Sequence, residues 1–223
     1  MKKLISLLLV LVLLACAGLC EENQTVTVTI VNGGIVLAAA EVELCDKDGD
    51  GVTTINDALI SAHEQYFELG AEGYLSEETE YGLSLVMLWG VDNGGAFGYY
   101  LNDASALSLR DEVRAGDRVN AFVYTDLVTW SDTYCWFENT ENEGEYVLFT
   151  AGWDENYMPV TNPCAGAAIV VDGVVTELVT DENGQFSVSF EEVGEHVVSA
   201  RSDAVVLVPP VCVVTVRAKE LGA

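Results

Sequence analysis

Thr25-Val26-Thr27-Val28-Thr29-Ile30-Val31-Asn32-Gly33-Gly34-Ile35 alternates polar and apolar residues, meets a glycine pair, and then resumes as an apolar stretch that alternates again at Val42-Glu43-Leu44. Period two sends neighbouring side chains to opposite faces of a sheet, and the Asn-Gly-Gly break favours a hairpin turn, so two antiparallel strands are expected here. Further along, Thr54 to Glu68 changes period. Ile55, Ala58, Leu59, Ala62 and Tyr66 recur at helical spacing, with Asn56, Asp57, His63 and Glu64 on the other faces. A polar Gly- and Glu-rich link, Gly70 to Glu80, then leads to three segments rich in aromatic and β-forming residues: Leu83–Trp89, Ala96–Leu101 and Val119–Tyr124. Hairpin, helix and three strands predict an α+β unit with one helix packed on a sheet.

The chain has 223 residues, 36 acidic against 9 basic, for a formal net charge of −27, and half its residues are apolar. That length accommodates two modest domains with real cores, and the charge repels phosphate backbones, which excludes nucleic acid as a partner. Lys2 and Lys3 precede the apolar run Leu4–Leu14, the pattern of a secretory signal segment spanning residues 1–20, too short for a membrane span. Leu13-Leu14-Ala15-Cys16 resembles the bacterial lipobox, which implies Cys16 as a lipidation site and a membrane association only through that anchor. Cleavage at the A-x-A-like Ala15-Cys16-Ala17 would instead release a free secreted protein. Either way the expected location is outside the cytoplasm.

Thiols in such compartments tend to pair. After Cys16, the remaining cysteines are Cys20, Cys45, Cys135, Cys164 and Cys212. With Cys20 assigned to the tether, the other four admit three pairings, and Cys45–Cys135 with Cys164–Cys212 closes each bridge inside one expected domain. Wide spacing without C-x-x-C argues against structural zinc.

Between hairpin and helix lies Asp46-Lys47-Asp48-Gly49-Asp50-Gly51-Val52-Thr53-Thr54-Ile55-Asn56-Asp57. Oxygen donors at positions one, three, five and twelve, with glycine at six, give the spacing of an EF-hand loop over residues 46–57. The ligand set is then Asp46, Asp48 and Asp50 through side chains, the Val52 carbonyl, Thr54 directly or through water, and Asp57 from the first helical turn. Calcium is the implied cofactor, with a dissociation constant on the order of 10⁻⁴–10⁻³ M sufficient outside the cell. The aspartate ending and the run into the helix resemble a dockerin half-site. Without a second copy, that resemblance implies metal ligation and not cohesin binding.

Gly94-Gly95-Ala96-Phe97-Gly98-Tyr99-Tyr100-Leu101-Asn102 and Arg114-Ala115-Gly116-Asp117 resemble the β-grasp domain at the C-terminus of transcobalamin-like proteins, implying such a domain over residues 24–140, with Tyr99, Asn102, Gly116 and Asp117 in structural roles. Asn139 to Gly144 is polar and turn-rich, a boundary signal. Beyond it, Glu145–Thr150, Ala167–Val171, Val174–Val179, Gln185–Phe190, Glu195–Ser199 and Val211–Val216 read as regularly spaced strands of a small sandwich. Thr180-Asp181-Glu182-Asn183-Gly184 and Gly194-Glu195-His196-Val197 resemble bacterial immunoglobulin-like or carboxypeptidase-regulatory-like modules, implying an all-β immunoglobulin-like domain over residues 145–217.

No catalytic residues emerge. Glu77, Glu78 and Glu80 read as solvated charges, His63 and His196 lack a nucleophile partner, and no G-x-S-x-G, H-E-x-x-H or phosphate loop occurs. Trp89, Phe97, Tyr99, Tyr100, Trp130, Tyr134 and Trp136 are candidates for a binding face, foremost Trp89, Tyr99, Tyr100, Trp130 and Trp136. The expectation is a non-enzymatic, calcium-braced surface protein that binds an extracellular protein or glycan. The alternative is a small-molecule, glycan or corrinoid binder working through the aromatic strands.

Overall fold

A computed structural model describes residues 20–218, with side chains from Gln24 onward. Its fold is mostly β, with one α-helix among the described residues. The signal segment and Cys16 lie outside the described residues.

The N-terminal lobe begins with the expected hairpin, β1 (Cys20–Asn32) and β2 (Ile35–Cys45). Helix α1 (Ile55–Tyr66) follows the acidic loop. A short 3₁₀ turn, Gly70–Gly73, leads to β3 (Leu75–Thr79) and β4 (Gly82–Met87), which pair only with each other. The link expected over residues 70–80 is therefore largely ordered, because Ser76 to Thr79 finds hydrogen-bond partners on β4. Then come β5 (Phe97–Leu101), β6 (Ala104–Ser105) and β7 (Arg118–Val123). The main sheet has the order β2-β1-β7-β5-β6, and its central pair β1–β7 is parallel, Thr27 facing Arg118 and Asn32 facing Val123.

Alternation along this sheet decides what covers each face. Val26, Val28 and Ile30 of β1, with Val119, Ala121 and Val123 of β7, share a core with Ile55, Ala58, Leu59 and Ala62 of α1. Val31 and Phe122 belong to the opposite set, and pack with Tyr134 and Val208 from the C-terminal part of the chain. Gly98 lies across from Phe122 in the β5–β7 ladder, where a Cβ would sit 2.1 Å from the ring, so the bare backbone makes room for it. One sheet thus carries the helix on one face and the second lobe on the other.

The C-terminal lobe comprises β8 (Cys135–Asn139), β9 (Glu145–Trp153), β10 (Pro159–Pro163), β11 (Ala168–Val171), β12 (Val174–Val179), β13 (Gln185–Ser187), β14 (Gly194–Arg201) and β15 (Cys212–Val216). One sheet has the order β10-β9-β13, with β8 also paired to β9; the other runs β12-β11-β14-β15. Tyr146, Leu148 and Phe186 from the first meet Ile169, Val198 and Ala200 from the second in one core. All six expected strands are present. Residues 140–144, read as an interdomain boundary, are instead the turn of the β8–β9 hairpin, since Cys135–Asn139 pairs with residues 146–150.

That displacement of β8 carries Cys135 away from the N-terminal lobe, and neither expected disulfide is present. Cys45 is disulfide-bonded, whereas Cys135, Cys164 and Cys212 are free, so neither Cys45–Cys135 nor Cys164–Cys212 forms. Cys135 sits in the C-terminal core with Cys164, its thiol donating to the Val208 carbonyl at 3.1 Å. Across from Cys45 in the β1–β2 register stands Cys20, which begins β1 rather than lying in a tether.

Candidate functional site

The acidic loop is shaped from within by its aspartates. Asp46 accepts from the Gly49 and Gly51 amides at 2.7 and 2.9 Å, Asp48 from Asp50 N at 3.2 Å and Asp50 from Val52 N at 2.8 Å. Gly51, at loop position six, has φ +92°, the left-handed geometry expected of the sharp turn. The amide bonds, foremost from Gly51, hold the Asp46 carboxyl below the ordinary carboxylate range; the exposed Asp48 is pushed up by slight desolvation and by the neighbouring carboxylates Asp57, Asp50 and Asp46.

Carboxylate oxygens of Asp46, Asp48 and Asp50 lie within 4.8 Å of one another, and these three residues form the metal-competent cluster. Asp57 and Thr54 do not join them. Asp57 is fully buried, one oxygen accepting from Lys47 N at 2.8 Å and the other from Thr54 N and Oγ1 at 2.9 and 2.6 Å. Thr54 caps α1 and Asp57 closes the capping box, while Thr53 exchanges hydrogen bonds with the Val113 backbone. Three of the six expected ligating groups are therefore gathered as carboxylates, the Val52 carbonyl follows them in the loop, and the last two serve to lock loop to helix.

The candidate aromatics separate into two places. Trp89 packs against His63 and Phe67, each with ring centroids 5.1 Å away, and Tyr99 packs on the same helix-side core. Tyr100, Trp130 and Trp136 instead line a cleft of about 1630 Å³ where the two lobes meet. Tyr100 stacks on Tyr134 at 3.6 Å, Tyr134 on Trp136 at 5.9 Å, and Trp136 leans on Phe149 at 5.9 Å, giving a continuous aromatic shelf. Tyr134 donates to Asp103 Oδ1 at 2.9 Å, and Asp103 also accepts from Arg118. Burial of Tyr100 pushes its phenol up to about 12, so it stays a neutral donor.

Trp130 stands on a braced loop. Asp126 accepts from the Thr129 hydroxyl, from Val128 N and Thr129 N at 2.9 and 3.0 Å and from Ser131 Oγ at 2.8 Å; these bonds, the Thr129 hydroxyl foremost, hold its carboxyl well below the usual range. Asp132 ties the other side, accepting from Thr125 N and Oγ1 and Asp126 N. Trp130 takes φ +56°, a left-handed backbone that costs a bulky residue about 1–3 kcal/mol, and leaves its indole 55% exposed beside Tyr124.

Sequence reading missed Trp153, 65% exposed at the cleft rim. The signal was available: β9 continues past Thr150, and Phe149, Ala151 and Trp153 alternate onto one face. Asn102 and Asp117 hold the entry to β7. Asn102 bridges Asp117 Oδ1 and Arg118 N at 2.8 and 2.9 Å, and Asp117 accepts from Arg114 N at 2.8 Å, fixing the start of β7. His196 pairs with Asp172 at 2.8 Å and stacks on Phe190. No family model, curated protein or solved structure matches the chain.

Proposed function

We propose that this chain is a non-enzymatic, extracytoplasmic surface protein that captures a ligand in the cleft between its lobes. The reading rests on one observation: exposed indoles, Trp130 and Trp153, flank an aromatic shelf whose polar groups are already tied to one another. A site of this kind presents rigid apolar faces and loses little entropy on binding. Location outside the cytoplasm follows from the export-like segment, and Cys16 would hold the protein at a membrane. The parallel β1–β7 pair with a helix across it supports a β-grasp-like N-terminal lobe, and the two sheets around one core support an immunoglobulin-like C-terminal one.

Calcium belongs to the same proposal as a brace. Asp46, Asp48 and Asp50, with the Val52 carbonyl, would hold the ion, which supplies only charge neutralisation among crowded carboxylates. Calcium should raise the melting temperature of the wild-type protein, and Asp50→Ala should abolish the shift; identical curves in calcium and chelator would overturn the brace. For the cleft, tryptophan fluorescence titrated with a panel of neutral, cationic and anionic oligosaccharides and peptides should respond to at least one class. Trp130→Ala and Trp153→Ala should weaken that response about tenfold or more with unchanged melting, in keeping with truncation of an aromatic anchor. Silence across the panel counts against the cleft.

A further inference from the structure

The cleft has a chemical polarity that narrows its ligand. Along β9, Phe149, Ala151 and Trp153 point to one side, and the register places Trp136 beside Phe149 and Thr161 beside Ala151. Glu138, two residues after Trp136 on β8, shares that side. Its Oε1 accepts from the Trp136 indole N–H at 3.1 Å, which fixes the ring and anchors a carboxylate next to it. Between the Trp136 row and Trp153 the strand rises about 13 Å at ~3.3 Å per residue, and the one β9 side chain between them on this side is the small Ala151, which packs beside Tyr134. The floor is thus a flat strip longer than one sugar ring, with an indole toward each end.

Charge is one-sided on the walls. Glu41, Asp103, Asp132 and Glu138 line the cleft, and among the described residues the single basic lining residue is Arg118, already paired with Asp103. Asp132 is spent on its own loop, whereas Glu41 and Glu138 are exposed. On a molecule of net charge −27 such a site repels uronate, sialylated or sulfated chains and leaves exposed carboxylates beside stacking faces.

Building on the cleft reading above, we propose that the ligand is an amino-sugar polysaccharide with free ammonium groups, its pyranose faces lying on Trp136 and Trp153 and its amines directed to Glu138 and Glu41. A basic peptide would offer charge but no succession of flat rigid faces to match the strip. Charge attraction of this kind acts mainly at low salt, where it is least screened.

Calorimetry with the whole protein at low salt should show a glucosamine oligomer binding about tenfold tighter than its fully N-acetylated counterpart, as one or two accessible ion pairs allow. The double variant Glu41→Gln/Glu138→Gln should erase that preference, while Trp153→Ala should weaken both oligomers. An oligogalacturonate should not bind. Equal or tighter binding of the acetylated oligomer overturns the ammonium assignment and leaves the cleft standing. Oligolysine binding as well as the sugar, with loss on Trp153→Ala, overturns the glycan in favour of a basic peptide. Should another class in the fluorescence panel bind and the glucosamine oligomer not, this inference alone fails; if no class binds, the cleft reading fails with it.

Discussion

His63 lies at the centre of the N-terminal lobe with no exposed surface, its Nδ1 2.6 Å from the Leu59 carbonyl and its Nε2 accepting from Trp89 N at 2.9 Å. One nitrogen must donate and the other accept, so the ring is the neutral Nδ1–H tautomer, and a second proton would abut the Trp89 amide. That amide belongs to a two-residue turn, Trp89 and Gly90 at φ +52° and +75°, closing Leu88 onto Val91 with 3.0 Å bonds both ways. Sequence periodicity placed His63 on a polar face of the helix, and the polarity was real but directed inward, toward a backbone group that no local pattern announces. Burial holds its pKa below the usual 6.5. The unfolded chain therefore takes up the proton first, so His63 contributes full stability above about pH 6.5, and that contribution falls as pH drops through the lowered value. His196 works in the opposite sense: its hydrogen bond to the Asp172 carboxylate raises its pKa, so its contribution is complete below the unfolded value and lost as pH rises through the raised one. Urea midpoints should fall from neutral to mildly acidic pH, and His63→Gln should flatten that slope while costing about 2–4 kcal/mol for a lost imidazole and an unsatisfied Trp89 amide. A wild-type midpoint independent of pH in this range would contradict the His63 assignment, provided that His196→Gln leaves it equally flat.

At the scale of elements, α1 depends on its first turn. Asp57 simultaneously closes the capping box and grips Lys47 N, and Lys47 Nζ reaches Glu64 one face along the helix at 2.7 Å. Thr54→Ala should cost about 1 kcal/mol, the value of an N-cap. Asp57→Ala should cost about 2–3 kcal/mol, because the buried Thr54 amide and the partly buried Lys47 amide lose their acceptor. Hydrogen exchange at Lys47 and Thr54 should accelerate in the second variant. Strands and helix were legible because their periods are local. Two things were not. Strands β3 and β8 sit in polar or aromatic-polar sequence, Leu75–Thr79 and Cys135–Asn139, and exist because a neighbour supplies pairing and cover. The donor spacing of residues 46–57 was readable, yet whether Asp57 faces a cation or the backbone is decided by segment 109–113, whose carbonyls at Leu109 and Asp111 accept from Asn56 and Ile55. The Cys45–Cys135 pairing failed because it presupposed which strands share a core, whereas Cys164 and Cys212 border the same core and are nonetheless unpaired.

For the whole molecule, the contact between lobes is an aromatic one. Phe122 and Val31 from the N-terminal sheet meet Tyr134 and Val208, and Tyr134 stacks on Tyr100 while its hydroxyl reaches Asp103. Removing that ring deletes the stack and one partly buried hydrogen bond, so Tyr134→Ala should lower stability by about 3–5 kcal/mol and split a single thermal transition into two. A calorimetric trace that remains single and merely shifts would mean that the lobes are coupled elsewhere. The parallel pair β1–β7 bears on synthesis. Thr27 emerges from the ribosome long before Arg118, its ladder partner, so the hairpin must wait with one flank bare while helix, turn and four strands are made. An open flank of alternating valines and threonines invites a neighbouring chain to take the vacant place. The nascent N-terminal hairpin is thus where a holding chaperone would act, and where crowded expression would first produce intermolecular sheets.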